Sequence, residues 1–277
     1  TNAGFDIVGN SLIPFADDYF IQFVNIILIV FGSIGYAVLI EVKAFLTRKP
    51  TQSAYQFSLY TKLTTFTFFA LIVVGTVLIL VLEYNHFFVG KSWDNSFFYA
   101  LFQSVTTRNA GLATMDVSQF TNPTLFVMCI LMFIGASPSS VGGGIRTTTF
   151  AINILFLYHY ARGSESIKIF NREIHEDDVK KSIVVTAIAI IVCGLGIFFL
   201  SITEPFSTME IIFEVCSAFG TTGLSLGITA SLTLLGKITV IILMFIGRVG
   251  ILSFIFMLGG EKERERYHYP KERVIIG

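Results

Sequence analysis

A short glycine-centred segment recurs three times along this chain, each time leading into an apolar stretch long enough to cross a bilayer. The segments are Thr1-Asn2-Ala3-Gly4-Phe5, Thr107-Arg108-Asn109-Ala110-Gly111-Leu112 and Gly220-Thr221-Thr222-Gly223-Leu224, with their central glycines about 110 residues apart. The last two follow amphipathic stretches, Asp94–Val105 and Ser207–Ser217. These make about three helical turns, too few to span a membrane. The order span, short helix, glycine motif, span is that of a re-entrant pore loop. Internal repetition brings several such loops to one axis, as an ion filter requires.

Composition agrees with a lipid environment. Of 277 residues, 53% are hydrophobic and 14% charged, against about 25% charged in a soluble domain. Continuous spans are predicted at Phe20–Glu41, Leu59–Leu82, Ser182–Ile202 and Thr233–Leu258. A fifth apolar stretch, Pro123–Tyr158, is too long for one crossing and is interrupted at Gly135–Gly144. The expected fold is all-α integral membrane, built of span, pore helix, filter loop and span around a central pore. Residues 1–41 read as the filter and second span of one repeat, 59–158 as a repeat with a broken second span, 182–258 as the last repeat, and 259–277 as a cytoplasmic tail. The chain opens on Thr1, with no initiator Met and no signal peptide.

Charge sets the topology. Fourteen basic residues fall in the connections 43–62 and 162–181 and in the tail, whereas the opposite face holds only Lys91 and Arg108. The positive-inside rule places the basic side in the cytoplasm, so the filter loops face outward. The outer face carries acids, among them Glu83, Glu204 and Glu214, that read as a cation-attracting rim.

A dehydrating alkali cation needs carbonyl oxygens held at fixed places, and turning successive carbonyls to one side needs residues at positive φ. Asn2, Ala3, Gly4, Asn109, Ala110, Gly111, Thr221, Thr222 and Gly223 are therefore the candidate filter. Below it, Ser137-Pro138 and Gly142-Gly143-Gly144 break the fifth span, and the segment is expected to be a flexible loop. Non-helical backbone at this depth is tolerated only inside protein or beside a watery cavity. Arg248 lies deep in the last span, where a lone arginine costs at least about 2.5 kcal/mol unless it faces water or a partner. The carbonyls freed by the loop are its expected partners. Arg146, just after the loop, reads equally as loop anchor, gate partner or helix start. Enzymatic chemistry is not indicated. The histidines are scattered, Cys129, Cys193 and Cys216 sit in apolar surroundings, and no metal set, buried carboxylate pair or organic cofactor motif is present.

Thr106–Leu112 and Ser217–Leu224 resemble the third and fourth filter segments of the Trk/Ktr/HKT cation-transporter superfamily, and most closely the membrane subunits of bacterial Ktr potassium uptake systems. The resemblance covers essentially the whole chain. It implies four repeats with one filter glycine each, Gly4, Gly111 and Gly223 being the second to fourth. The chain would then be the C-terminal part, without the first repeat and the start of the second. The resemblance further implies K+ as the permeant ion, Na+ as an activator, and the 135–144 segment as an intramembrane gate. It also implies that Arg248 projects into the pore. The expected partners are a second copy in a homodimer, a cytoplasmic KtrA-like nucleotide-binding ring and membrane lipid, but not nucleic acid. The expected location is the cell membrane, multi-pass. Two alternatives stay open: a sodium or mixed cation transporter, since the first filter is absent, and a broken-helix secondary transporter.

Overall fold

The computed structural model describes residues 2, 11–48, 55–164 and 166–251. Ala3 and Gly4 of the first motif, the end of the last predicted span and the 259–277 tail lie outside the described residues. The described chain is helical apart from its connections and one two-residue-per-strand hairpin, β1 (Lys168–Ile169) with β2 (Arg172–Glu173).

Helix α1 (Tyr19–Ser33) runs into α2 (Tyr36–Leu46). A long apolar helix, α3 (Leu59–Glu83), leads to the short α4 (Trp93–Thr106). After the second glycine motif come α5 (Asn122–Ile134) and α6 (Thr147–Ala161), and the hairpin leads into α7 (Glu176–Thr203). The short α8 (Thr208–Gly220) precedes the third motif, and α9 (Leu234–Val249) follows it. Serine N-caps start the long helix and both short ones. Ser58 accepts from Thr61 N, Ser92 from Asn95 N, and Ser207 forms a reciprocal box with Glu210.

The packing repeats as the sequence does. Helix α4 packs on α3 and on α1, and α8 packs on α7 and on α5. Each short helix is thus wedged between the long helix just before it in the chain and an earlier one, α1 for α4 and α5 for α8. The same shift relates α3–α5 to α7–α9, and α2–α3 to α6–α7. Close approach depends on small residues, as is usual where lipid supplies no hydrophobic drive. A Cβ on Gly75 would lie 2.5 Å from Ser104 Oγ, and one on Gly196 would lie 2.9 Å from Leu243.

Four expectations change. The span predicted as continuous at Phe20–Glu41 is two helices bent by 102°. The break falls at Gly35 (φ 99°), where the backbone of the 135–144 segment takes up the space a side chain would need. Helix α9 also ends inside the last predicted span, at Gly250 (φ 90°). Finally, three rim acids are buried braces. Glu83 accepts from Thr121 N and Oγ1 at 2.8 and 2.7 Å, and so caps the entry to α5. Glu204 does the same one repeat later, accepting from Thr233 N at 3.1 Å and Oγ1 at 2.5 Å before α9. Glu214 accepts from Ser225 and Thr229 at 2.8 and 2.6 Å. Carboxylates beside a helix N-terminus are well placed for the unpaired N–H groups there. Arg108, counted above with the outer-face bases, is fully buried in the protein. That leaves Lys91, whose ammonium is lowered from its ordinary range by burial, partly opposed by Asp17, and lies 3.2 Å from the Phe87 ring centre.

Candidate functional site: facing glycine motifs above a knitted loop

Both fully described motifs leave the lower end of a short helix, and each carries two residues in the positive-φ region. In the first these are Asn109 (105°) and Gly111 (71°), in the second Thr221 (51°) and Gly223 (92°). Asn2, which opens the earliest motif, has φ 47° as well. Alternating the sign of φ along three residues turns neighbouring carbonyls toward a common side. The sequence reading assigned this work to glycine. The structure adds the residue two places before it, and asparagine is the side chain most at ease there.

The two motifs face one another. A Cβ on Gly111 would lie 2.5 Å from Thr222 O and 3.3 Å from Gly223 Cα. Ala110, Asn109 and Thr222 are buried around this contact. Thr221 Oγ1 donates to Asn109 Oδ1 at 2.8 Å, which ties one motif to the other. The other end of the same amide, Nδ2, donates to Val141 O at 3.1 Å, inside the broken span. Asn2 holds its own second span in the same way, through Nδ2 to Ile29 O at 3.2 Å and Ser33 Oγ at 2.9 Å.

The 135–144 segment lies directly beneath the facing motifs. Its polar groups are bonded on several sides. Ser137 N and Val141 N donate to Ser33 O and Gly32 O at 3.0 and 3.3 Å, the carbonyls left open where α1 ends. Tyr36 N, at the start of α2, donates to Ser139 O at 2.8 Å, and the Tyr60 hydroxyl donates to Pro138 O at 2.9 Å. On the far side Gly144 N donates to Phe219 O at 3.3 Å, near the end of α8. Gly142 and Gly143 are needed for close approach: a Cβ on Gly142 would lie 3.1 Å from Asn109 Cβ, and one on Gly143 would lie 2.8 Å from Thr221 Oγ1. The break in one repeat therefore satisfies the break in the repeat before, which is how irregular backbone survives at this depth.

Two arginines differ from expectation. Arg248 is exposed at the end of α9 and has no hydrogen bond among the described residues. The loop carbonyls expected to receive it go to Arg146, whose Nη1 donates to Gly142 O and, at 3.5 Å, to Ser137 O. Arg108, in the motif of Asn109 and Gly111, was counted with the outer-face bases and given no part in the site. It is wholly buried, donates from Nη1 to Gly135 O at 3.1 Å, and accepts at its carbonyl from Ser33 Oγ at 3.2 Å. Its sequence signal was a charge at the junction of a pore helix and a glycine motif.

Over residues 1–265 the chain matches the TrkH family, described as cation transport protein. It is 58% identical to the Ktr system potassium uptake protein D of Bacillus subtilis (strain 168), across 100% of this chain and 61% of that protein. It is 34% identical to the Ktr system potassium uptake protein B of Vibrio alginolyticus, across 100% of this chain and 60% of that one. The crystal structure of the potassium transporter TrkH from Vibrio parahaemolyticus superposes with a TM-score of 0.74 at 19% identity, over 93% of this chain and 56% of that chain, a likeness of fold. The chain spans 60–61% of the length of these two curated relatives. Since the family match takes in both facing glycine motifs and the loop beneath them, the chain belongs to the TrkH family of cation transport proteins.

Proposed function

We propose that the protein containing this chain takes up potassium across the cell membrane by passive permeation along the axis between its glycine motifs. The observation that carries the reading is the apposition of Gly111 and Gly223, with positive φ at alternate residues of both motifs. Backbone of this kind suits a carbonyl-lined ion path, and the relatives are named as transport proteins, so we read the protein as a transporter and not an enzyme. The names of the two relatives support potassium as the ion.

Asn2, Ala3, Gly4, Asn109, Ala110, Gly111, Thr221, Thr222 and Gly223 form the filter in this reading, with a fourth segment from outside the chain. Ser137, Pro138 and Gly142–Gly144 form the gate beneath, and Arg248 adds a fixed positive charge below it. The filter faces outward and the tail lies in the cytoplasm, as the basic connections favour. Sodium acts as an activator. A homodimer and a KtrA-like nucleotide-binding ring complete the assembly in this reading; the word system in the names of the two relatives supports more than one component and goes no further.

The test is uptake by proteoliposomes holding the full-length protein. Potassium or rubidium entry well above that of sodium supports the reading. Equal entry of sodium favours the mixed transporter, and flux strictly coupled to a second solute favours a secondary transporter.

A further inference from the structure

In each of the three second spans a helix boundary falls on a residue in the same backbone conformation. Gly35 precedes α2 at φ 99°, ψ 135°; Arg146 precedes α6 at φ 80°, ψ 145°; Gly250 ends α9 at φ 90°, ψ 137°. Two of the three are glycine, and this region belongs almost wholly to glycine. An arginine there is strained, and it persists only where its surroundings hold it.

The holding groups belong to the loop and its base. Arg146 N donates to Ile134 O at 3.0 Å, while its half-buried guanidinium donates to Gly142 O and Ser137 O. Those two carbonyls exist at this place only while the loop lies where it does. We propose that Arg146 is the latch of the 135–144 loop, a positioning residue whose strained backbone is offset by hydrogen bonds that the loop supplies. When the loop leaves, the bonds break and the backbone relaxes, so neither state is an intermediate of the other. Such an element has two discrete arrangements, as a switch needs. Its use in transport rests on the reading of this loop as the gate.

The experiment compares wild type with Arg146→Gly and Arg146→Lys in the full-length protein. Glycine suits the backbone, as Gly35 and Gly250 do, and removes the latch. Lysine keeps the charge but not the fork of donors. Two quantities are read, amide exchange across residues 135–146 by mass spectrometry and rubidium flux in proteoliposomes. We expect loop amides such as Ser137 and Val141 to exchange about ten-fold faster or more in Arg146→Gly. Arg146→Lys should fall between the two, and exchange in α3 should be unchanged. Unchanged loop exchange in Arg146→Gly overturns the latch, whatever the flux does. Faster exchange with higher flux supports latch and gate together. Faster exchange with unchanged flux supports the latch and removes the gate.

Discussion

Asn109 donates from its side-chain amide to the carbonyl of Val141 at 3.1 Å, joining a glycine motif to the loop beneath it. The same amide accepts from Thr221 at 2.8 Å. One side chain therefore ties both described motifs to the broken span, and a displacement of the loop must be felt at Asn109.

The two halves of that amide can be separated. Asn109→Asp keeps an acceptor for Thr221 and loses the donor to Val141, whereas Asn109→Ala loses both. We expect Asn109→Ala to cost about 1–3 kcal/mol, since a half-buried hydroxyl and a carbonyl each lose a hydrogen bond. Asn109→Asp should preserve potassium-over-sodium selectivity better than Asn109→Ala, while both loosen the loop. Thermal unfolding and paired rubidium and sodium uptake measure these effects. Equal selectivity loss in the two variants would mean that the Thr221 contact does not shape the filter.

The facing glycines allow a sharper substitution than a charge. A methyl on Gly111 meets Thr222 O at 2.5 Å, so Gly111→Ala must part the two motifs. A carbon needs roughly 3.4 Å or more, so the shift is on the order of 1 Å, and misplacement of that size costs about a hundred-fold where geometry sets a rate. We expect a comparable fall in potassium uptake, and complete loss in Gly111→Asp and Gly223→Asp, with membrane insertion intact. Wild-type uptake and selectivity in these variants would take the motifs out of the ion path.

The buried acids should behave as braces. Glu204→Ala leaves Thr233 N and its hydroxyl unpaired at the start of α9 and should cost about 1–3 kcal/mol. Apparent affinity for potassium should be unchanged. A lower affinity at full stability would return Glu204 to the role of a cation-attracting rim.

Arg248 and the loop should act as separate barriers. The guanidinium has no bond to the loop among the described residues, and the loop has its own arginine. Arg248→Ala removes a repulsion worth a few kcal/mol at contact distance near an effective dielectric of 20. Deleting Ser139–Gly143 removes backbone from the path. Each should raise flux, and the double variant should show near-additive gains. Strong non-additivity would mean that one barrier includes both.

Much of this arrangement was legible in the residues. Long apolar runs gave α3 and α7, and the serines before Trp93 and Thr208 start the two short helices close to where their amphipathic stretches begin. The excess length of the fifth span pointed to the 135–144 loop. The bend at Gly35 was hidden, because a glycine inside an apolar helical run is tolerated at a cost of about 1 kcal/mol. What breaks the helix there is a loop a hundred residues further on, a tertiary cause with no local mark. Arg146 stayed ambiguous for the same reason. Only the backbone shows that it stands where the other repeats have glycine. Glu83 and Glu204 read as surface because they end spans, and only packing reveals the helix starts they cap.

The central claim, that the facing motifs form the ion path, is tested most directly by anomalous diffraction from the full-length protein grown with thallium, a heavy mimic of potassium. The account predicts anomalous peaks on the axis within about 3 Å of the backbone carbonyls at Asn109–Gly111 and Thr221–Gly223, where they replace the ion's hydration shell. Those peaks should be lost in Gly111→Asp. Thallium bound elsewhere in the fold, with none at these carbonyls in a protein that still transports, would contradict it.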